Sequence, residues 1–364
     1  MTALLIRESD PRLLHGRGAR TNATGRYEPQ ARVSFDDGWT GDDEAPAPIR
    51  TTVQQDATRT IIARNKSPDI SFDRSINPYR GCEHGCVYCF ARPTHAYLGL
   101  SPGVDFETRL FVKPEAAQLL AAELRAPGYR PRVIAMGTNT DPYQPIERNW
   151  KVTRSILEVL SAFRHPTGIV TKSTLIQRDI DILAPMAEIN LARAAVSITT
   201  LDRKLARTME PRAAAPEKRL ETIRALTKAG IPTAVMTAPM IPALNDHELE
   251  NILAAAADAG ATQAGYVVLR LPLEIKDLFR EWLEVHAPDR AKHVMSLIRQ
   301  MRGGKDYDAE WGQRMRGKGP YARLIAERFA MATRRLGLNK AQRPLDLSKF
   351  RPPPRTGDQL ALAL

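Results

Sequence analysis

Between residues 66 and 275, short apolar runs alternate with longer runs whose apolar residues recur at helical spacing. Arg132 to Gly137 (RVIAMG) is a short apolar run that stops in a Gly/Asn/Asp/Pro turn. Arg154 to Phe163 then carries Ile156, Leu157, Leu160 and Phe163 on one helical face. Thr167 to Lys172 reads as a strand, and Leu175 to Ile189 as a helix interrupted near Pro185. Ala192 to Thr200 reads as a strand, followed by a helix face of Leu220, Ile223 and Leu226 with Gly230 as its stop. Thr233 to Ala238 is a strand, Leu249, Ile252, Leu253 and Ala256 are a helical stripe, and Tyr266 to Leu271 is a strand again. With a first strand placed near Ile70 to Phe72, the pattern predicts six strands joined by helical crossovers. Such alternation makes a parallel α/β sheet. Six strands are too few for a closed eight-stranded barrel but fit an open, partial (βα)6 TIM-type barrel, whose chemistry is expected at the C-terminal strand ends.

The flanks differ. Residues 1–65 are rich in Arg, Gly, Asp, Thr and Pro and read as an irregular or disordered N-terminal arm, with Gly38 to Pro48 flexible. Residues 66–275 form the barrel domain and 276–340 a helical C-terminal extension, with helices over Asp277–His286, Arg290–Met301 and about Tyr321–Leu336. Between the last two lies a glycine-rich basic stretch, and residues 341–364 read as an extended, proline-rich tail. The start of the chain has no long apolar core, so no signal peptide is expected. No run approaches the roughly 20 apolar residues that span a bilayer. A soluble, cytoplasmic chain without a membrane partner is the expectation.

Charge and cysteine usage change the picture further. The 364 residues carry 53 Lys and Arg against 41 Asp and Glu, a formal charge of +12. That balance suits an anionic partner, DNA or RNA being the usual one, although an arginine-rich chain without such a partner gives the same count. The three cysteines, Cys82, Cys86 and Cys89, fall within eight positions. An odd, clustered set is not a disulfide framework and fits metal-bound thiolates in a reducing compartment.

The segment is Asn77-Pro-Tyr-Arg-Gly-Cys-Glu-His-Gly-Cys-Val-Tyr-Cys89, with the spacing C-x3-C-x2-C. Thiolates are the preferred ligands of iron–sulfur clusters, and a four-iron cube normally takes four. Three leave one iron open to chelate a small molecule, and Gly81 and Gly85 let one loop wrap the cube. Zinc held by the three cysteines with His84 or His95 is an alternative, although the chain lacks the paired halves of usual zinc modules.

This motif, with Tyr88 before the last cysteine, resembles the radical S-adenosylmethionine (SAM) signature. The resemblance covers roughly residues 70–275. Within that superfamily the chain looks most like the spore photoproduct lyases, on GCEHGCVYCFAR, TNTDPYQPIE, TKS and SITT. It implies a partial barrel of the radical SAM type, with a 4Fe-4S cluster on Cys82, Cys86 and Cys89 and SAM on the open iron. It also implies reductive cleavage of SAM to a 5′-deoxyadenosyl radical that takes hydrogen from substrate. An electron donor such as flavodoxin or ferredoxin follows as a partner.

The strand ends supply further candidates. The resemblance implies that Thr140 and Asp141 help hold the SAM amino group, that Lys172 contacts SAM, and that the backbone at Tyr88 lies near the adenine. Thr140 and Asp141 also suit a plain Asn/Asp/Pro turn. Ser197 and Thr199 share a strand face and can offer hydroxyls to the ribose, or serve β-propensity alone. Arg270, among apolar residues, is a substrate-phosphate candidate or half of an internal ion pair. His84 reads as a neighbour of the ligands rather than a ligand. The stretch from Arg299 to Lys318, basic with Tyr307 and Trp311, suits strand binding or a solvated loop.

One departure limits the analogy. The resembling lyases carry a further cysteine near Thr138 and a tyrosine where this chain has Phe90. A different hydrogen donor, or a different substrate, is therefore needed; a nucleic-acid base is the first expectation, on charge and resemblance, with a peptide or small metabolite as one alternative. A metal-stabilised nucleic-acid-binding module without catalysis is the other.

Overall fold

The computed structural model describes residues 17–31 and 49–354. Ten strands occur among them: β1 Thr52–Gln55, β2 Ile62–Arg64, β3 Arg74–Ile76, β4 Tyr79–Arg80, β5 Arg109–Val112, β6 Ile134–Met136, β7 Thr167–Thr171, β8 Ala192–Ser197, β9 Thr233–Met240 and β10 Gln263–Val268. The main sheet runs β10-β9-β8-β7-β6-β3-β2. From β3 to β10 every neighbouring pair is parallel, so six parallel strands follow one another in chain order, as the alternating pattern predicts. β2 pairs antiparallel with β3 and closes that edge with three residues. The result is a partial, barrel-like (βα)6 sheet.

The crossovers form where the apolar spacing is helical. Val152–Ala162 buries Val152, Ile156, Leu157 and Leu160 against the sheet. Pro216–Lys228 starts with proline in its first turn, where no intrahelical N–H is needed, and buries Ile223 and Leu226. Leu249–Asp258 buries Leu249, Ile252, Leu253 and Ala256. The strands contribute Ile76, Met136, Ile169, Val196 and Val235 to the same core.

A second core explains the C-terminal extension. Helices Ile275–His286 and Pro288–Gln300 bring Phe279, Trp282, Leu283 and Ile298 against Val87 of the cysteine loop, Met209 and Leu269. Trp282 Nε1 donates to the Thr208 carbonyl at 3.0 Å. The extension thus backs the cysteine loop, and Gly319–Arg335 packs beside Leu249–Asp258 through Arg328, which pairs with Glu250 at 2.6 Å.

Several elements fall elsewhere than the pattern predicts. The first parallel strand is Arg74–Ile76, not Ile70 to Phe72. Residues before it are held in turns in which Asn65 Oδ1 accepts from Ser67 N and Ser67 Oγ from Asp69 N. The break in the helix over 174–188 comes at Asp179–Ile180, where a 3-10 turn passes into an α-helix, and Pro185 lies inside the latter. Within the arm read as irregular, 52–55 and 62–64 are strands, and β1, β5 and β4 make a small second sheet. Residues 17–31 lie against the cysteine loop, with Ala19 and Thr21 buried. Hydrogen bonds rather than apolar side chains hold that segment, which is why its hydropathy is silent. The segment Gly38 to Pro48 lies outside the described residues. The tail's Phe350 packs on Tyr129, Phe163 and His165 at the N-terminal end of β7.

Candidate active site

The cysteine loop leaves the barrel between β4 and β5 and returns under Met209. Gly81 and Gly85 have φ of 74° and 66°, a region that side-chain-bearing residues rarely adopt. Cys82 N donates to the Phe106 carbonyl at 2.9 Å, and Val87 N to the Met209 carbonyl at 3.0 Å. Gln144 clamps the first turn, accepting from Glu83 N at 2.9 Å and donating to the Gly81 carbonyl at 3.1 Å. Buried Arg92 donates to the carbonyls of Cys86, Gly85, Pro102 and Gly103, and its charge meets buried Glu107.

This bracing turns all three cysteines onto one cavity at the C-terminal ends of the strands. The same cavity is lined by Tyr88, Phe90, Thr138, Thr140, Asp141, Lys172, Ser197 and Arg270. Burial pushes all three thiols up from their ordinary range, so thiolates there need a cation for company. Neighbouring backbone groups, at Asp141 for Cys82 and at Ala91 and Arg92 for Cys89, work against that rise. Hydrogen bonds to the sulfurs are one of the levers that tune an iron–sulfur centre. Among the described residues no three His, Cys, Asp or Glu side chains gather around one point tightly enough for a single metal ion. The ligands of a cube bind different irons and need not converge in that way. A thiolate-only donor set, carried by a glycine-hinged loop and turned onto one cavity, fits the cluster.

The strand-end residues divide into two groups. Asp141 is a bracket: Oδ1 accepts from Tyr143 N at 2.9 Å and Thr171 Oγ1 at 2.7 Å, and Oδ2 from Lys172 N at 2.7 Å. His84 Nδ1 stands 3.3 Å from Oδ2, so the loop histidine is tied to the end of the second parallel strand. Burial alone would raise the Asp141 carboxyl, but His84 and these donors hold it below the usual range. Thr140 donates its hydroxyl to the Tyr79 carbonyl at 3.0 Å. Thr199 is fully buried behind the cavity wall, donating to Glu210 Oε1 at 2.5 Å. Lys172 and Ser197 line the same cavity as Thr140 and Asp141, with no hydrogen bond from either side chain to the described residues.

Glu210 and Arg219 carry no signal in the sequence, yet they organise this wall. Glu210, just past the helix Arg203–Met209, accepts from Tyr88 Oη and Thr199, pairs with buried Arg219, and stands 3.7 Å from Lys172 Nζ. Burial works against its charge, but Arg219 and Lys172 outweigh it and hold the carboxyl at about 2. Arg219 also donates to the carbonyls of Ser197, at 3.0 Å, and Ala214, at 2.7 Å. The Tyr88 ring is thereby fixed by its hydroxyl, 5.8 Å from Lys172 Nζ.

Arg270 forms no ion pair among the described residues. Its guanidinium lies over the Phe90 ring, 4.9 Å from the centroid. The basic stretch before Gly319 lies over the cavity beside β10, with Val268 N donating to the Met315 carbonyl at 2.9 Å. Met315 itself lines the cavity.

Comparison with known proteins agrees with this picture. An uncharacterised protein of Mycobacterium bovis is 39% identical over 243 residues, covering 65% of this chain and 72% of that protein. One from Methanocaldococcus jannaschii is 30% identical over 173 residues, covering 48% and 62%. Among solved structures, a spore photoproduct lyase complexed with dinucleoside spore photoproduct superposes with a TM-score of 0.55, at 17% identity over 79% of this chain and 80% of that one. At that identity the likeness is one of fold. The Radical SAM superfamily model matches residues 76–256, from the end of β3 to the fifth crossover helix. The chain therefore belongs to the radical SAM superfamily of radical-generating enzymes.

Proposed function

We propose that Cys82, Cys86 and Cys89 hold a 4Fe-4S cluster and that the adjoining cavity binds SAM. The observation that carries this is the convergence of the three cysteines, the only ones in the sequence, on one cavity at the strand ends. When bound, the cluster and SAM would supply a 5′-deoxyadenosyl radical by reductive cleavage, with hydrogen then taken from substrate. The chain's own residues hold and shield. Lys172 presents a cation and Ser197 a hydroxyl to the cosubstrate, and Tyr88 closes the wall beside them. Thr140, Asp141 and Thr199 act at one remove: Asp141 fixes His84 and the start of the Lys172 turn, and Thr199 fixes Glu210. Carbonyl oxygens of 138–140 are left to meet the amino group, the Asn139 N–H and the Asp141 carbonyl being bonded to Asn77 and Gln144.

Anaerobic reconstitution with iron and sulfide, then reduction with SAM present, tests this. Wild type is expected to yield 5′-deoxyadenosine, with flavodoxin or ferredoxin as electron donor. Cys82→Ala, Cys86→Ala and Cys89→Ala each lose the cluster absorbance and the product together. Well-loaded protein that makes no 5′-deoxyadenosine with any candidate substrate would sink the reading.

For the substrate, the reading is a nucleic-acid base. The +12 charge supports it, as does likeness of fold to a lyase bound to a dinucleoside photoproduct. The route of hydrogen return must differ from a cysteine-based one, because Thr138 and Phe90 line the cavity and all three thiols are taken. Transfer of deuterium from labelled oligonucleotide into 5′-deoxyadenosine is the expected result. Transfer only from a peptide or small metabolite would replace this substrate class.

A further inference from the structure

Arg270 follows β10 on the cavity wall, and its donors are badly served. Nη1 reaches only the Met315 sulfur, at 3.6 Å, and Nη2 only the Tyr307 hydroxyl, at 3.4 Å. Nε is buried without a partner. Thioether sulfur is a weak acceptor, and a bond of 3.4 Å is a long one. Asp69, the acid its charge reaches, is committed elsewhere, accepting from Gly312 N and pairing with Arg314. A second guanidinium is nearby. Arg302 is buried, gives its donors to the carbonyls of Gln313 and Leu269, and has its pKa lowered by burial first and by Arg270's charge as well. A cavity-lining guanidinium with unspent donors and a second buried cation behind it is a costly arrangement that a bound anion would relieve.

We propose that Arg270 seats a phosphate group of the substrate at the cavity mouth. This rests on the proposed function and deepens it. The guanidinium fork matches an oxyanion through two parallel hydrogen bonds. The overlying stretch adds Lys305 and Arg316 to the same side, while its Arg314 and Lys318 are paired with Asp69 and Asp308. Phe90, 43% exposed and next to Cys89, carries Arg270 over its ring and offers the rest of it as a platform for a planar group attached to that phosphate. A planar ring next to a phosphate describes a nucleotide unit, and a free nucleotide and a strand present the same chemistry.

The test is equilibrium binding of a fluorescein-labelled single-stranded dT8 to the full-length, reconstituted, SAM-loaded chain, read by anisotropy apart from turnover. Arg270→Gln is expected to weaken binding by about tenfold or more, with Arg270→Lys between it and wild type. Because a variant can fail for reasons of folding, the second arm alters the ligand. A single neutral methylphosphonate linkage is walked along dT8, and at one position it should weaken wild type while leaving the weakened Arg270→Gln unchanged. Competition by thymidine 5′-monophosphate but not thymidine would mark a free nucleotide as the source of the phosphate, and failure of both to compete would mark the strand. The inference is overturned if wild type does not bind dT8, if no neutral linkage costs it affinity, or if Arg270→Gln loses SAM while holding dT8 as before. That last result would assign Arg270 to the cosubstrate. None of these readouts needs SAM cleavage, so failure of the radical chemistry is recorded separately.

Discussion

Glu210 is a carboxylate that two cations keep charged out of water, and it ties Tyr88, Thr199, Lys172 and Arg219 into one wall of the cavity. Breaking a buried pair from one side strands the other charge. Glu210→Gln is therefore expected to cost roughly 3–5 kcal/mol in urea unfolding. Adding Arg219→Met to it should recover part of the loss, because the stranded guanidinium goes too. A double variant as unstable as the sum of the two singles would show that the pair is not coupled. A second residue-scale expectation concerns acid. His165 accepts from Tyr129 Oη on Nε2 at 2.8 Å and faces the Pro166 carbonyl with Nδ1 at 3.1 Å, an arrangement that suits the neutral ring. Burial lowers it to about 4 from its ordinary 6.5, and His95 is lowered likewise to about 4. The unfolded chain then binds more protons than the folded one between those values, so stability is full above about 6.5 and falls as pH drops towards 4. The urea midpoint should decline from pH 7 to pH 5, and His165→Gln should flatten that decline. An unchanged slope in the variant would remove His165 from the account.

At the scale of elements, what the pattern reveals and what it hides have physical causes. Five of the six parallel strands are legible because each is a short apolar run stopped by turn residues and followed by a helical stripe; the first, Arg74–Ile76, has one apolar residue in three and lies after the run at Ile70 to Phe72. The cysteines are legible because their spacing is their chemistry, and the polar strand ends because the fold puts site residues there. β1, β2 and β4 are hidden: they have two to four residues, and their exposed positions outnumber buried ones in β1 and β2. Glu210 and Arg219 are hidden because a buried pair nine positions apart has no periodicity. The segment 17–31 is hidden because small residues and backbone donors hold it. Gly18 N and Ala19 N donate to Glu107 at 2.9 and 2.8 Å, Glu107 meets Arg92, and Arg92 donates to the carbonyls behind Cys86. A Cβ on Gly18 would stand 1.7 Å from the Gly85 carbonyl oxygen, so only glycine lets the two segments touch. Gly18→Val should push the segment off, at a cost of about 1–3 kcal/mol. Faster proteolysis within 17–31 and less iron retained per chain after reconstitution are the expected readouts. Normal iron retention with the segment demonstrably cleaved would mean that it does not support the cysteine loop.

Across the whole molecule, the two ends of the sheet carry different work. The C-terminal strand ends hold the cavity, the cysteines and the Glu210 wall. The N-terminal ends are capped by the tail: Asn190 Nδ2 donates to the Pro344 carbonyl at 2.6 Å, Lys349 Nζ to the Ile189 carbonyl at 3.0 Å, and Arg125 to the Pro353 carbonyl at 2.8 Å. Phe350 is the apolar anchor of this cap, with ring centroids 5.4 Å from Tyr129 and 5.5 Å from His165. Sites that share no partners contribute to stability almost independently. Phe350→Ala should thus lower stability by roughly 2 kcal/mol, at the low end for a large aromatic because the ring is only half-buried. Its effect should add to that of Glu210→Gln within about 0.5 kcal/mol in the double variant. Iron per folded chain should match wild type in Phe350→Ala, because among the described residues no bond of the tail reaches the cysteine loop. A loss of iron in Phe350→Ala, or a clear departure from additivity, would mean that packing at the closed end of the sheet is felt at the open one through the strands themselves.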